Sequence, residues 1–186
     1  MPGDRSTVLL LVGCALLLAA CDDAEPTSDW HTHRSEQHGY TVSLPPGWHL
    51  AKQSLSPSLV EPREILFAAS FRIGRRHELC DALARIPPDR ALVTLQERTR
   101  AARGDETFPP RPASFEPDPR LPGKSEWPYC LHGYKKPPIS MLDYWFGFRD
   151  AGRAFHVFVG VGRKAPEAMR REAFGILDSL RLDPNG

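Results

Sequence analysis

Residues 153–161, with the sequence Arg-Ala-Phe-His-Val-Phe-Val-Gly-Val, decide the fold. Their apolar residues recur at the period of two that is typical of a β-strand. One face carries Phe155, Val157, Val159 and Val161, and the other carries Ala154, His156 and Phe158. Because both faces are partly apolar, we predict an internal strand that is covered on each side.

A second strand precedes this segment. Residues 141–148 are rich in aromatic side chains, and Asp150-Ala151-Gly152 supplies a short turn between the two arms. This pattern predicts a β-hairpin.

Upstream strands are shorter. Tyr40–Leu44 alternates, Pro45-Pro46-Gly47 turns the chain, and residues 48–52 are predicted to return antiparallel to the first strand. Regular structure is predicted to begin at Tyr40.

Two further strands follow, separated by a helical turn or two over residues 77–86. Residues 64–73 form the first, which we predict to place five apolar side chains on one face: Ile65, Phe67, Ala69, Phe71 and Ile73. Residues 91–97 form the second, with Val93 and Leu95 on one side.

The C-terminal element is predicted to be an amphipathic helix that packs on the sheet. Pro166 suits the first helical position. The apolar stripe consists of Met169, Ala173, Ile176, Leu177 and Leu180. Gly175 lies inside this helix and costs about 1 kcal/mol relative to alanine, which tertiary packing must offset.

Composition favours a single globular domain over residues 39–186. The chain has 186 residues, of which 41% are apolar and 25% are charged. Its net charge of +1 provides no field that would attract nucleic acid. Residues 99–125 are rich in proline and lack periodicity, and a loop of this length is usually functional or mobile.

The N-terminus has the pattern of an export signal over residues 1–20. Its apolar run, residues 8–20, is too short to span a bilayer but suits a signal peptide. The run ends in Leu18-Ala19-Ala20-Cys21, which resembles the lipobox of bacterial lipoproteins. That resemblance implies cleavage before Cys21 and attachment of fatty acyl chains, such as palmitate, to this cysteine. The alternative is an ordinary signal peptide with an incidental Cys21.

Lipid at Cys21 would hold the mature chain on the extracytoplasmic side of the cell membrane, because two acyl chains anchor stably. Residues 21–38 are polar and are predicted to be a flexible tether. The tether contains potential metal ligands, including His31, His33 and His38, but nothing in a flexible segment would hold them at coordination distance. We therefore predict no metal and no cofactor.

Two cysteines, Cys80 and Cys130, remain in the mature domain. An even pair in an exported protein favours a disulfide. Two buried thiols or a metal pair are the alternatives, and the 50-residue spacing without a C-x-x-C motif disfavours metal.

Three features of the mature chain point to a known group of domains: Leu44-Pro45-Pro46-Gly47-Trp48, the run of antiparallel strands, and the closing residues 176–180, Ile-Leu-Asp-Ser-Leu. With these features the chain resembles the Mog1, PsbP and DcrB-like domains, a fold that bacterial lipoproteins, including those of actinobacteria, often carry. It implies an α+β fold in which helices flank an antiparallel sheet as an α/β/α sandwich. It also implies an accessory role in binding or assembly.

Catalytic signatures are incomplete. No serine lies in a G-x-S-x-G elbow, and His77-Glu78 begins a zincin motif that fails because residue 81 is aspartate. Four side chains on neighbouring predicted strands could still converge for acid-base chemistry: His49, His132, His156 and Asp143. Strand histidines more often pair with backbone or water.

The sequence therefore predicts a non-enzymatic binding or assembly module with a protein or lipid partner in the cell envelope. Residues 99–125 are predicted to form or border the contact surface. A cell-envelope hydrolase or a metal-dependent enzyme that uses the strand histidines and aspartate is the alternative.

Overall fold

The computed structural model describes residues 29–52, 61–73, 86–99, 108–115 and 141–184. Within these ranges the chain forms an α+β arrangement of two antiparallel sheets and one helix. The elements are β1 (His31–Ser35), β2 (Tyr40–Leu44), β3 (His49–Leu50), β4 (Arg63–Ala69), β5 (Ala91–Glu97), β6 (Met141–Asp150), β7 (Arg153–Gly162), α1 (Glu167–Ser179) and β8 (Arg181–Leu182).

The sheets differ in size and in strand order. The smaller sheet has the order β1-β2-β8, and the larger one has the order β3-β4-β5-β7-β6. Every pairing between named strands is antiparallel.

The predicted hairpin is confirmed. All ten residues of β6 pair with the ten residues of β7, ending at Asp150 opposite Arg153. Ala151 and Gly152 form the two-residue turn with positive φ angles of 51° and 75°, the geometry that matches the twist of the flanking strands. Strand β7 lies between β5 and β6, so the prediction of an internal strand is also confirmed.

The two faces of the larger sheet bury different clusters. The inner face packs on α1 and carries the main core, including Val93, Leu95, Val157 and Val159. The outer face carries a smaller cluster that includes Phe67, Leu92 and Phe158. The inner and outer faces are named in this sense below.

Helix α1 has the predicted apolar stripe. Ala173, Ile176, Leu177 and Leu180 are fully buried in the main core. Pro166 occupies the N-cap position and not the first helical position. No helix in the described ranges is long and apolar enough to cross a membrane.

The prediction that regular structure begins at Tyr40 is wrong, because β1 pairs with β2 along five residues. Strand β1 has the sequence His-Thr-His-Arg-Ser, which offers no apolar alternation, so only the backbone ladder defines it. Trp30, just before it, packs against the main core. Residues 21–28 of the predicted tether lie outside the described residues.

The predicted return of residues 48–52 against β2 is also wrong. The strand is limited to His49–Leu50, and it pairs with β4 in the other sheet. Trp48 is buried, and its indole Nε1 donates a hydrogen bond to Glu172 on α1 at 2.8 Å. This contact holds the chain against the helix as it passes from the small sheet to the large one.

Strand β4 departs from simple alternation. The register with β5 shifts between Glu64 and Leu66. Ile65 therefore joins the main core, whereas Phe67 and Ala69 face the outer cluster. The prediction that these three residues share one face is wrong, because a β-bulge changes the side on which the following residues point. The strand also ends at Ala69, before Phe71 and Ile73.

The helical turn predicted over residues 77–86 lies outside the described residues, apart from Ile86. Cys80 and Cys130 also lie outside them. The disulfide therefore stays a prediction.

Gly175 and Trp30 provide a test of how the N-terminal segment packs. A Cβ atom at Gly175 would lie 2.8 Å from Cη2 of the Trp30 indole. Replacing a helical glycine with alanine gains about 1 kcal/mol when space allows. We expect Gly175→Ala to give this gain in a Trp30→Ala background and to give none when Trp30 is present.

Urea unfolding of the wild type, the two single variants and the double variant measures the coupling between Trp30 and position 175. Equal stabilisation by Gly175→Ala in both backgrounds would show that Trp30 does not pack on α1.

Candidate functional site

Of the four residues considered for acid-base chemistry, the structure describes the side chains of two, His49 and His156. His132 lies outside the described residues. Asp143 belongs to β6, opposite Gly160, but its side chain is not described. His49 and His156 lie on β3 and β7, which are separated by β4 and β5. The register places them about 14 Å apart across the sheet and about 13 Å apart along it, so these two histidines do not converge.

His156 lies among aromatic rings on the outer face. The Trp145 ring stacks on it with centroids 5.3 Å apart and an interplanar angle of 19°. The Phe108 ring approaches edge-on at 4.9 Å. Gly147 lies directly opposite His156, and a Cβ atom there would be only 2.6 Å from the Phe108 ring. A glycine is therefore needed for Phe108 to close over this part of the sheet.

A row of polar residues crosses the outer face beside these rings. Glu64, Gln96 and His156 occupy directly paired positions on β4, β5 and β7. Glu64 and Gln96 are each 6% exposed, and His156 is half-buried. Cross-strand neighbours have Cβ atoms about 5 Å apart, so the row places a carboxylate, an amide and an imidazole side by side. We call this set the outer-face row.

Sequence reasoning singled out His156 but missed Glu64 and Gln96. Glu64 belongs to the predicted strand 64–73, but the bulge after it made its orientation unpredictable. Gln96 lies next to Leu95 on β5, and alternation along that strand does not identify its neighbours on the adjacent strands. The row became visible only when the strand register was known.

Residues 108–115, inside the proline-rich loop, are held firmly against the sheet and the helix. Pro109 and Arg111 exchange backbone hydrogen bonds with Arg149 at 2.7 and 2.8 Å, which extends the edge of β6. Phe108 and Phe115 are each 5% exposed. This part of the loop is therefore a component of the packed structure.

Arg111 caps the C-terminal end of α1. Its guanidinium donates to the carbonyl oxygens of Leu177, Asp178 and Leu180 at 2.7 to 3.2 Å, and to the Asp150 carboxylate at 3.0 Å. Helix ends leave carbonyl groups without partners, and a cation there also complements the helix dipole. The loop and the helix are thus fixed to each other.

A buried ionic cluster lies on the inner face, at the end of β5. Glu97 and Arg153 are each about 5% exposed, and Arg153 Nε donates to Glu97 Oε1 at 2.7 Å. Arg63 Nη2 donates to the other oxygen, Oε2, at 2.5 Å. Glu97 therefore uses both carboxylate oxygens. We call these three residues the arginine cluster.

The cluster favours the ionised carboxylate. Burial raises the pKa of Glu97, but hydrogen bonds and charge from Arg153 and Arg63 outweigh that effect, so the pKa lies below its ordinary value. Glu97 is consequently an anion at neutral pH.

Across the described ranges, no three side chains among His, Cys, Asp and Glu come together to hold a metal ion. No protein-family model matches the sequence, and no curated protein is significantly similar to it.

Glu97→Gln tests the arginine cluster. The amide removes the negative charge and leaves Arg153 buried without a counter-charge, which should cost about 3 kcal/mol of unfolding free energy. Glu36→Gln is the control, because Glu36 and its partner Arg34 are exposed. It should change stability little.

The same variant tests the pH dependence. A carboxyl group whose pKa is lowered in the folded state stabilises the fold at every pH above the ordinary carboxyl pKa of about 4. This stability is lost as the pH falls through that value and below. Urea unfolding at neutral and acid pH should show a smaller acid effect in Glu97→Gln than in the wild type. An equal acid effect in both proteins would contradict the assignment.

Proposed function

We propose that the protein is a lipid-anchored extracytoplasmic lipoprotein that acts as a binding or assembly module of the cell envelope. The anchor is Cys21, at the end of the lipobox-like sequence. From Cys21 to Asp29, the first described residue, the chain has eight peptide units. Even fully extended they reach only about 29 Å, so the domain works close to the membrane surface.

The single observation that carries the binding role is the stack of Trp145 on His156 beside the outer-face row. Both rings are partly exposed, and both lie on the paired hairpin β6–β7. Tryptophan is enriched among residues that dominate protein interfaces, because it buries a large area at a low entropy cost. The exposed parts of these two rings form a rigid aromatic site, which suits recognition of a partner.

The surrounding structure supports the same interpretation. Residues 108–115 frame the site through Phe108 and are fixed to β6 and α1. Binding elements carried on a rigid scaffold lose little entropy when the partner binds. We propose that the contact surface includes the outer-face side of this segment.

We further propose that the architecture is the α/β/α sandwich of the Mog1, PsbP and DcrB-like domains. The five-stranded antiparallel sheet and α1 on its inner face support this assignment. The buried outer-face cluster is consistent with a second covering layer.

The anchor is tested by Cys21→Ser. The wild-type protein should incorporate labelled palmitate and partition into the detergent phase. Cys21→Ser should incorporate none and should remain unprocessed or enter the soluble fraction. An unchanged membrane fraction together with retained label would contradict lipid attachment at this residue.

The binding role is tested with a photo-reactive phenylalanine analogue at position 145 in intact cells. We expect a discrete cross-linked product that is absent when the same analogue replaces Arg171 on the exposed side of α1. Products at position 171 alone would place the surface elsewhere. Turnover of an envelope substrate that is lost in His156→Ala would instead establish the enzymatic alternative.

A further inference from the structure

The turn between β1 and β2 receives two hydrogen bonds from one guanidinium group, in addition to the backbone hydrogen bond that Asp183 N–H donates to the Gly39 carbonyl oxygen at 2.9 Å. Arg153 Nη2 donates to the carbonyl oxygen of His38 at 2.9 Å, and Nη1 donates to that of Gly39 at 3.0 Å. Nη1 also lies 3.4 Å from the carbonyl oxygen of Asp183, just after β8. Arg153 thus holds the N-terminal turn and the C-terminal segment at the same point.

His38 places a titratable ring inside this attachment. Its Nδ1 atom is buried and has no hydrogen-bond partner among the residues that the structure describes. The charged groups that act on the ring come from three strands of the large sheet: Arg63 on β4, Glu97 on β5 and Arg153 on β7. Two of the three are cations.

In the closed form, a proton on Nδ1 of His38 would have no hydrogen-bond acceptor among the described residues. The only anion among the three groups is Glu97, and both of its oxygens already accept hydrogen bonds from Arg153 and Arg63. Protonation would place a third positive charge beside one carboxylate, with a buried N–H donor that lacks an acceptor. A buried charge without a partner is unfavourable.

We propose that residues 36–39 form an acid-sensitive latch, in which protonation of His38 releases the turn and the β8 end of the chain from Arg153. The closed form requires a neutral imidazole. The open form lets the ring reach water and leaves the Arg153–Glu97 pair in place.

The titration behaviour of His38 agrees with this geometry. Burial and then the charge of Arg63 lower the pKa of His38, and Glu97 offsets them only in part. A histidine whose folded pKa lies below its ordinary value of about 6.5 stabilises the closed form fully above that pH. The stability is lost progressively as the pH falls below it.

The turn follows β1, the first described strand after Cys21. Its position relative to the membrane rests on the proposed lipid anchor. The latch itself does not depend on the anchor.

Hydrogen exchange of the mature, detergent-solubilised protein tests the latch. Protection factors are compared at about pH 7.5 and about pH 5, on either side of the ordinary histidine pKa. Glu97 keeps its charge at the lower pH because its own pKa is lowered. Wild type should lose protection several-fold in residues 36–40 and 181–183, whereas β5 and β7 should remain protected.

Two histidine variants separate the proposal from a general acid effect. His38→Gln keeps the backbone carbonyl that Arg153 binds but cannot gain a proton, so its protection should hardly change with pH. His31→Gln, at an exposed position on β1, should behave as the wild type. Equal losses in His38→Gln and wild type, no loss in wild type, or loss in all strands together would each overturn the latch.

A second measurement does not depend on any variant. An NMR titration of the wild type should show the His38 ring titrating below the ordinary histidine value. A midpoint at or above that value would overturn the proposal.

Discussion

The buried pair of Arg153 and Glu97 joins parts of the chain that are distant in sequence. One guanidinium binds the Glu97 carboxylate, the turn at His38 and Gly39, and the segment at Asp183. Burying charges costs several kcal/mol per ion unless the pair is well hydrogen-bonded. Here Arg153 binds Glu97 on the large sheet and the segments next to the small sheet, so this pair helps to position the small sheet, together with the burial of Tyr40, Val42 and Leu44 in the main core.

Two arginines with multiple hydrogen bonds, Arg111 and Arg153, lie beside the β6–β7 hairpin turn at one end of the large sheet. Asp150, on one side of Ala151–Gly152, binds Arg111, which caps α1, whereas Arg153 lies on the other side. Arginine suits both positions because its planar group presents five donors in a fixed geometry. The turn therefore connects the helix, the proline-rich segment, the small sheet and the C-terminus.

Much of the larger sheet was predictable because its strands carry their pattern locally. The hairpin, β5 and the apolar stripe of α1 follow from spacing alone. Strand β1 was missed because pairing, and not apolar alternation, defines it. The bulge in β4 and the transfer of β3 to the large sheet depend on distant contacts such as Trp48 with Glu172. For the same reason only His156 of the outer-face row could be singled out, since its neighbours are set by register.

Arg153 is held in a closed, buried hydrogen-bond network by Glu97 and three backbone carbonyl groups. Solvent exchange of its side-chain Nε proton, measured by NMR at neutral pH, tests this network. We expect exchange that is far slower than that of the exposed Arg171, and a resonance that shifts strongly in Glu97→Gln. Exchange as fast as at Arg171, with no response to Glu97→Gln, would contradict it.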